Sequence, residues 1–465
     1  MHKEKHINDF GKDKISSLVL RVSIPFMIAQ FVNVFYSIAD RIYIGNLPDI
    51  GKTALAGAGV CAPIVTLLSS FGTLIGIGGS ILFSLRLGQK NKEQAKQILG
   101  SCFTLLVGFS AVLTILALLF KDQLLWWFGA SADTFSCADT YLTLYTIGTF
   151  FALMATGMNY FITAQGFPGL GMTTTLIGAI LNIFLDPLFM FGFHMGIAGA
   201  AIATVLSQMA SCAFVLLVLF RKNMPVLLKP CAPKKDLTRS ILSLGFSPFL
   251  ILATDSLLLI ALNAALQYHG GPGLGDTLIT CATIAQSFLM LITSPMIGIT
   301  GGCQSLISFN NGAKRPDRIR RIVFCVLILC VCFTSFMFVM SRIFSVPFSR
   351  IFTSDASQVS LASWTVRVYT MMIVPLAFQY TFVDSLTALG RPGTALALSL
   401  FRKSLYFLSA CLLPFVFQAT SSFYAEPISD GISAAISTAV FLFIDLHTLK
   451  PQAAKGLPGT PDSLP

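Results

Sequence analysis

Residues 163–169 read TAQGFPG, and residues 387–393 read TALGRPG. Five of the seven positions agree, at a separation of 224. The same offset sets LGQKNKEQAKQIL, 87–99, against NGAKRPDRIRRIV, 311–323, so Gly88 falls on Gly312 and Lys90 on Lys314. A one-residue slip brings Pro25 near Pro248, each close to the start of its half. The chain is therefore written twice.

What is repeated is apolar. Hydrophobic residues make up 55% of the chain and charged residues 11%, against roughly 25% charged in an ordinary soluble domain. Runs near twenty residues long, about enough to cross a bilayer as helix, recur throughout. Twelve candidate spans follow: 18–45, 54–85, 97–120, 138–164, 172–193 and 196–220, then 240–268, 277–309, 319–343, 360–389, 394–418 and 424–447. The expected fold class is an all-α polytopic membrane protein, with twelve transmembrane helices in two pseudo-symmetric six-helix bundles. The expected divisions are a bundle over 1–220, a cytoplasmic linker over 221–240, a second bundle over 241–448 and a disordered tail over 449–465.

Six spans per half make both halves enter the membrane from one side, as parallel repeats about an axis along its normal. Lys and Arg crowd one set of loops, among them Lys90, Lys92 and Lys96, Lys234, Lys235 and Arg239, and Lys314, Arg315 and Arg318. Lys3, Lys5, Lys12 and Lys14 lie on the same side, whereas the opposite side holds few cations, such as Lys121 and Arg350. The positive-inside rule then places both termini in the cytoplasm of a cell-membrane protein. The net charge of +11 is mostly this asymmetry, and no surface domain of interleaved basic and aromatic residues calls for nucleic acid. The polar start MHKEKHINDFGKDK is unlike a secretory signal. The 11 cysteines lie mostly in apolar runs without a CxxC pair, which suits small buried residues better than disulfides or metal ligands.

Against that background, acids inside the spans need a reason. In LNIFLDPLFMFG, 181–192, Asn182 and Asp186 are four apart and share one helix face. A charged Asp at mid-membrane costs roughly 2.5–3.5 kcal/mol on insertion scales. Pro187 removes a backbone donor and should bend the helix near the carbonyl of Ile183. Helical rise puts Asp40 about 27 Å, Asp186 about 21 Å and Thr204 about 12 Å along their spans, all in the outer half of the first bundle. Two carboxylates close together in low dielectric repel, and a bound proton or Na⁺ relieves them. The second half does not copy this set; it carries Asp255 in span seven and Asp384 in span ten instead. For either alone, a structural role is as open as a functional one.

These residues together resemble the multidrug and toxic compound extrusion (MATE) family, in its bacterial multidrug branch. The carriers are PFMIAQFVNVFYSIADRIYIG, LGQKNKEQAKQIL, AQGFPGLGMTTTLIGAILNIFLDPLFMFGFHMGIAGAAIATVLSQ, TALGRPG and YAEPISDGISAAIS. The resemblance implies export of cationic, often aromatic drugs in exchange for H⁺ or Na⁺. It implies a coupling-ion site at Asp40, Asn182, Asp186 and Thr204, with Asp255 and Asp384 as a looser second acidic pair. Substrate contacts are expected from Gln30, Asn33 and Tyr36 on one face of span one, and from Met154, Met158 and Asn159 on span four. Pro25 and Pro187 are expected bends.

The resulting expectation is a secondary active antiporter working by alternating access on small cationic organic substrates. It needs the lipid bilayer and the coupling ion, but no cofactor and no obligate protein partner. The rival within the superfamily is a lipid-linked saccharide flippase, which wants a cleft rich in Arg and Lys; the deep cations here are Arg367, Arg402 and Lys403. A channel lacks a selectivity-filter loop. An enzyme is not expected, since the chain carries no HExxH, no G-x-S-x-G and no paired intramembrane His–acid motif.

Overall fold

A computed structural model describes residues 8–448 except 49, 272–273 and 354; Lys3, Lys5 and the tail over 449–465 lie outside it. All regular structure among the described residues is helical. In the first half run α1 (Ile15–Gly45), α2 (Gly51–Gly88), α3 (Lys92–Leu119), α4 (Lys121–Trp127), α5 (Ala132–Ile147), α6 (Thr149–Ala164), α7 (Pro168–Pro187) and α8 (Ile197–Leu219). The second half holds α9 (Lys235–Gly270), α10 (Leu274–Gly312), α11 (Pro316–Phe352), α12 (Ala356–Tyr369), α13 (Ile373–Ala388), α14 (Pro392–Val416) and α15 (Ala425–Thr448).

Ten of these are long and apolar enough to cross a membrane, and twelve spans result when α5–α6 and α12–α13 each count as one. Those two pairs bend by 55° and 46°. The bends fall at corresponding places in the halves, at Gly148 and at residues 370–372. Short α4 lies in the connection between spans three and four.

The duplication reaches backbone detail. Lys90 and Lys314, 224 apart, are non-glycine residues with positive φ (62° and 53°), and Gly166 and Gly390, also 224 apart, have φ of 92° and 81°. Each closes a helix with the same bond, such as Asn91 N–H to the Arg86 carbonyl and Arg315 N–H to the Asn310 carbonyl. This left-handed cap satisfies the end carbonyls of the helix.

The halves exchange their first helical turns. Leu18, Val19 and Val22 of α1 are buried in a core with Leu306 of α10, Ile322 of α11 and Leu386 of α13. Ile241 of α9 is buried in the first-half core with Ile75, Leu106 and Phe161. Pro25 and Pro248 lie inside α1 and α9 just after these crossover turns. Each removes one rung of the helical ladder where the helix passes from one half to the other.

Contact between the halves is closest on the face that carries the basic loops, hereafter the basic face. A Cβ at Gly78 would come 2.1 Å from the Ile241 carbonyl, and one at Gly245 would come 1.8 Å from that of Leu74. Gly88 meets the Phe309 carbonyl and Gly312 meets that of Leu85, in the same symmetric manner. Absence of a side chain lets these backbones touch. Ser308 Oγ donates to the Ile81 carbonyl at 2.7 Å. The segment before α1 straps across this seal. Asn8 Nδ2 donates to the Gly166 carbonyl at 3.0 Å, while Arg318 Nη2 donates to the carbonyls of Phe10 and Asp13 at 3.3 and 3.0 Å.

Candidate functional site

Asn182 and Asp186 lie one turn apart on α7 and point into the first half, 3% and 0% exposed. Asn182 Nδ2 donates to Asp186 Oδ1 at 2.9 Å and reaches Thr204 Oγ1 on α8 at 3.4 Å. Asp40, from α1, brings its carboxyl within hydrogen-bonding reach of Asp186. Four side chains from three helices therefore meet. Arg41, the next residue, is exposed; its charge reaches Asp40 as a field, without an ion pair.

Local backbone puts these groups together. Pro187 ends α7 and the chain continues directly as one π turn, Leu188–Gly192. Proline offers no N–H to the fourth carbonyl back, and a wider turn takes over. After it, His194 and Gly196 adopt positive φ (54° and 58°) and reverse the chain into α8. Gly199 then lies so close to the π turn that a Cβ would come 2.8 Å from the Met190 nitrogen. That approach carries Thr204, one and a half turns on, to Asn182.

Asp40 Oδ1, Asn182 Oδ1 and Asp186 Oδ2 are buried and receive no hydrogen bond from the described residues. Buried acceptors are ordinarily satisfied. Three orphaned oxygens around two carboxyls fit either a proton shared between the acids or a hard cation with oxygen ligands. Either would cancel charge that low dielectric makes costly.

A tyrosine shell surrounds the cluster, and sequence reasoning named only one member. Tyr36 lies one turn before Asp40 on α1 and feels the charges of Asp40 and Asp186; Tyr141 of α5 feels Asp40. Tyr141 and Tyr145 stack with ring centroids 6.4 Å apart. Gln208 Nε2 donates to the Tyr145 hydroxyl at 3.3 Å, and Ser69 Oγ lies 3.1 Å from it. Their signal was present as two tyrosines one turn apart just before Gly148.

The other expected residues divide. Gln30 and Asn33 are half-buried on α1, with Asn33 Nδ2 donating to Gln30 Oε1 at 3.2 Å. Met154 and Met158 are fully buried in the first-half core beside Ile75 and Phe161, so in this conformation neither offers surface to a substrate. Asn159 Nδ2 donates to the Gly171 carbonyl at 3.2 Å and ties α6 to α7.

Asp255 and Asp384 are not brought together as one acidic pair. Thr300 Oγ1 of α10 donates to Asp384 Oδ2 at 2.5 Å. Asp255 Oδ1 lies 2.7 Å from the Lys403 ammonium on α14, which also donates to Thr254 Oγ1 at 3.1 Å. Next to Lys403, Arg402 Nε donates to Asp430 Oδ1 at 2.7 Å and Nη2 to Glu426 Oε1 at 2.9 Å. Glu426 and Asp430 were missed as site residues, although the quoted YAEPISDGISAAIS contains both, four apart. Three carboxylates thus face two cations. Arg367, the third deep cation, donates from Nε to Ser345 Oγ at 3.0 Å.

Comparison with known proteins agrees with this architecture. The family model described as MatE matches residues 25–188 and 253–412. The chain is 26% identical over 412 residues to the multidrug export protein MepA of Staphylococcus aureus strain NCTC 8325 / PS 47, covering 85% of this chain and 87% of that one. It is 25% identical over 406 residues to MepA of Staphylococcus haemolyticus, with the same shares. Among solved structures, a MATE in complex with MaL6 superposes with a TM-score of 0.88 at 20% identity, covering 94% and 98% of the two chains. An outward-facing multidrug resistance MATE family transporter of the MOP superfamily gives 0.88 at 21%, covering 96% and 99%.

Proposed function

Since this chain belongs to the MATE family, we propose that it is a secondary active antiporter, exporting cationic amphipathic drugs across the cell membrane in exchange for H⁺ or Na⁺. One observation carries the reading: Asp40, Asn182, Asp186 and Thr204, from three helices, share one buried cluster with three unsatisfied oxygens. Asp40 and Asp186 are the ion carriers, while Asn182 and Thr204 orient Asp186. The names of the MepA relatives, multidrug export proteins, support export of drugs.

The seal supports an alternating-access reading. The halves touch on the basic face through backbones with no intervening side chains, and α1 and α9 carry prolines at the crossover. With the termini and basic loops in the cytoplasm, the seal is the inner gate and the cluster lies toward the outside. An ion arriving from outside loads the cluster, changes its charge and biases α1 against α7. The bias shifts the equilibrium only as far as the ion binds the two forms unequally. Drug cation and coupling ion compete for the same negative charge, which yields exchange.

Cation export is favoured over saccharide-pyrophosphate flipping by the fate of the deep cations. Arg402 is held by Glu426 and Asp430, and Lys403 by Asp255, which leaves little positive charge for a pyrophosphate. The deciding experiment loads vesicles with a fluorescent cation and imposes pH and sodium gradients separately. One of the two should drive efflux. Transport indifferent to both, or of lipid-linked pyrophosphate alone, would exclude the antiporter.

A further inference from the structure

On the basic face, the beginnings of α9 and α14 flank a groove of ≈ 700 Å³. Its walls are apolar, formed by Leu242 and Phe246 of α9 and Pro392 and Leu396 of α14. Lys235 and Arg239, about one turn apart on α9, are exposed and line the same groove. Both helices begin here with a basic N-cap residue, Lys234 and Arg391, and no side-chain cap. Their first-turn N–H groups add partial positive charge. Asp236 lies in the first turn of α9 but does not line the groove.

One further feature points to a ligand rather than a chance crevice, and a second leaves room for it. Ser247 lines the groove, is 1% exposed, and its hydroxyl has no partner among the described residues. Gly393 also lines it, and a Cβ built there meets nothing within 4 Å. The groove therefore combines a cationic rim, a hydrogen-bonding floor and greasy walls.

We propose that this groove binds an acidic phospholipid. The phosphate sits against Lys235, Arg239 and the two helix starts. A glycerol or ester oxygen meets Ser247, and the first acyl carbons lie along Leu242, Phe246 and Leu396. About 12 Å of helix separates Arg239 from Ser247, a span that an arginine side chain and a glycerol backbone cover together. A soluble phosphate would leave the apolar walls wet. A zwitterionic lipid would bring its own cation up to two basic side chains. Basic pockets between membrane helices on a cytoplasmic side suit anionic headgroups. The site lies where α9 enters the seal between the halves, so its occupant would brace the start of a crossover helix.

Native mass spectrometry on the purified full chain tests this, with phosphatidylglycerol, phosphatidylcholine and inorganic phosphate added in separate arms. Phosphatidylglycerol should remain bound and phosphatidylcholine should not. Lys235→Gln with Arg239→Gln should weaken phosphatidylglycerol at least tenfold. Gly393→Phe, which fills the groove without changing charge, should do the same. Lys90→Gln with Lys92→Gln removes equal charge elsewhere on the basic face and should leave binding unchanged. Each variant is checked by elution volume and by binding of tetraphenylphosphonium; if Gly393→Phe fails to fold, the double glutamine variant decides. Wild-type lipid retention in the groove variants overturns the assignment, as does equal retention of phosphatidylcholine. Competition by inorganic phosphate at equal concentration makes the groove a soluble-anion site and overturns it too.

Discussion

Gly245→Ala adds one methyl group where α9 meets α2. That methyl would stand 1.8 Å from the Leu74 carbonyl oxygen, and the matching one in Gly78→Ala 2.1 Å from that of Ile241. The obstacle is backbone, which cannot rotate away, so the helices must part by about 1.5 Å to regain ordinary contact. Overpacking of this kind costs about 1–3 kcal/mol. Alanine also gains about 1 kcal/mol of helix propensity over glycine, but α2 and α9 stay helical in either form, so that gain cancels. In the proposed mechanism the halves part here, and the clash then exists only in the sealed form. The equilibrium should therefore move away from the seal by about 5–150-fold. Hydrogen exchange in lipid nanodiscs reads the shift, through lost protection over residues 78–88 and 300–312. Gly59→Ala, whose added carbon meets nothing within 4 Å, is the control on the same helix. Unchanged protection in folded Gly245→Ala and Gly78→Ala would refute the idea that these contacts form a gate that opens.

Three more outcomes are expected. Arg402→Leu leaves Glu426 and Asp430 buried beside each other without their cation, and should destabilise the protein by about 3–5 kcal/mol, seen as a lower unfolding temperature in nanodiscs; an unaltered melt would mean that the ion pairs hold nothing. Thr204→Val removes one acceptor of the Asn182 amide, worth about 0.5–1.5 kcal/mol, so efflux should fall about 2–13-fold with expression intact. Deleting residues 2–13 removes the strap from Asn8 to Asp13 that joins Gly166 to Arg318, and should raise hydrogen exchange on the basic face while leaving that of α7 unchanged.

Much of this was legible in the residues. Apolar runs gave twelve spans because a bilayer rewards the same twenty-residue stretch each time. The true helices run several residues past those limits, as in α11, which reaches Phe352 rather than residue 343 through the largely apolar turns FSVPFSRIF, with Phe348 packed against a core cluster. The bends at Gly148 and at residues 370–372 were not legible, since a span reads alike straight or broken. The offset of 224 foretold more than sequence: it relates two strained lysines and two left-handed glycines. Asn182 and Asp186 stood out because spacing of four fixes a shared face. Tyr141, Gln208, Glu426 and Asp430 did not, because their value depends on how neighbouring helices are rotated. Met154 and Met158, expected at the substrate, are buried in the first-half core here, a packing that their place on span four does not reveal.

The central claim is that Asp40 and Asp186 form one ion-carrying unit that a drug cation empties. The direct measurement adds tetraphenylphosphonium to purified protein in weak buffer and records the proton released, or the ²²Na⁺ displaced, per drug bound. The wild type should release close to one ion per drug. Asp40→Asn and Asp186→Asn should each release far less, and the double variant no less than either leaves behind. Full ion release from Asp186→Asn would contradict the account, because the unit would then lie elsewhere.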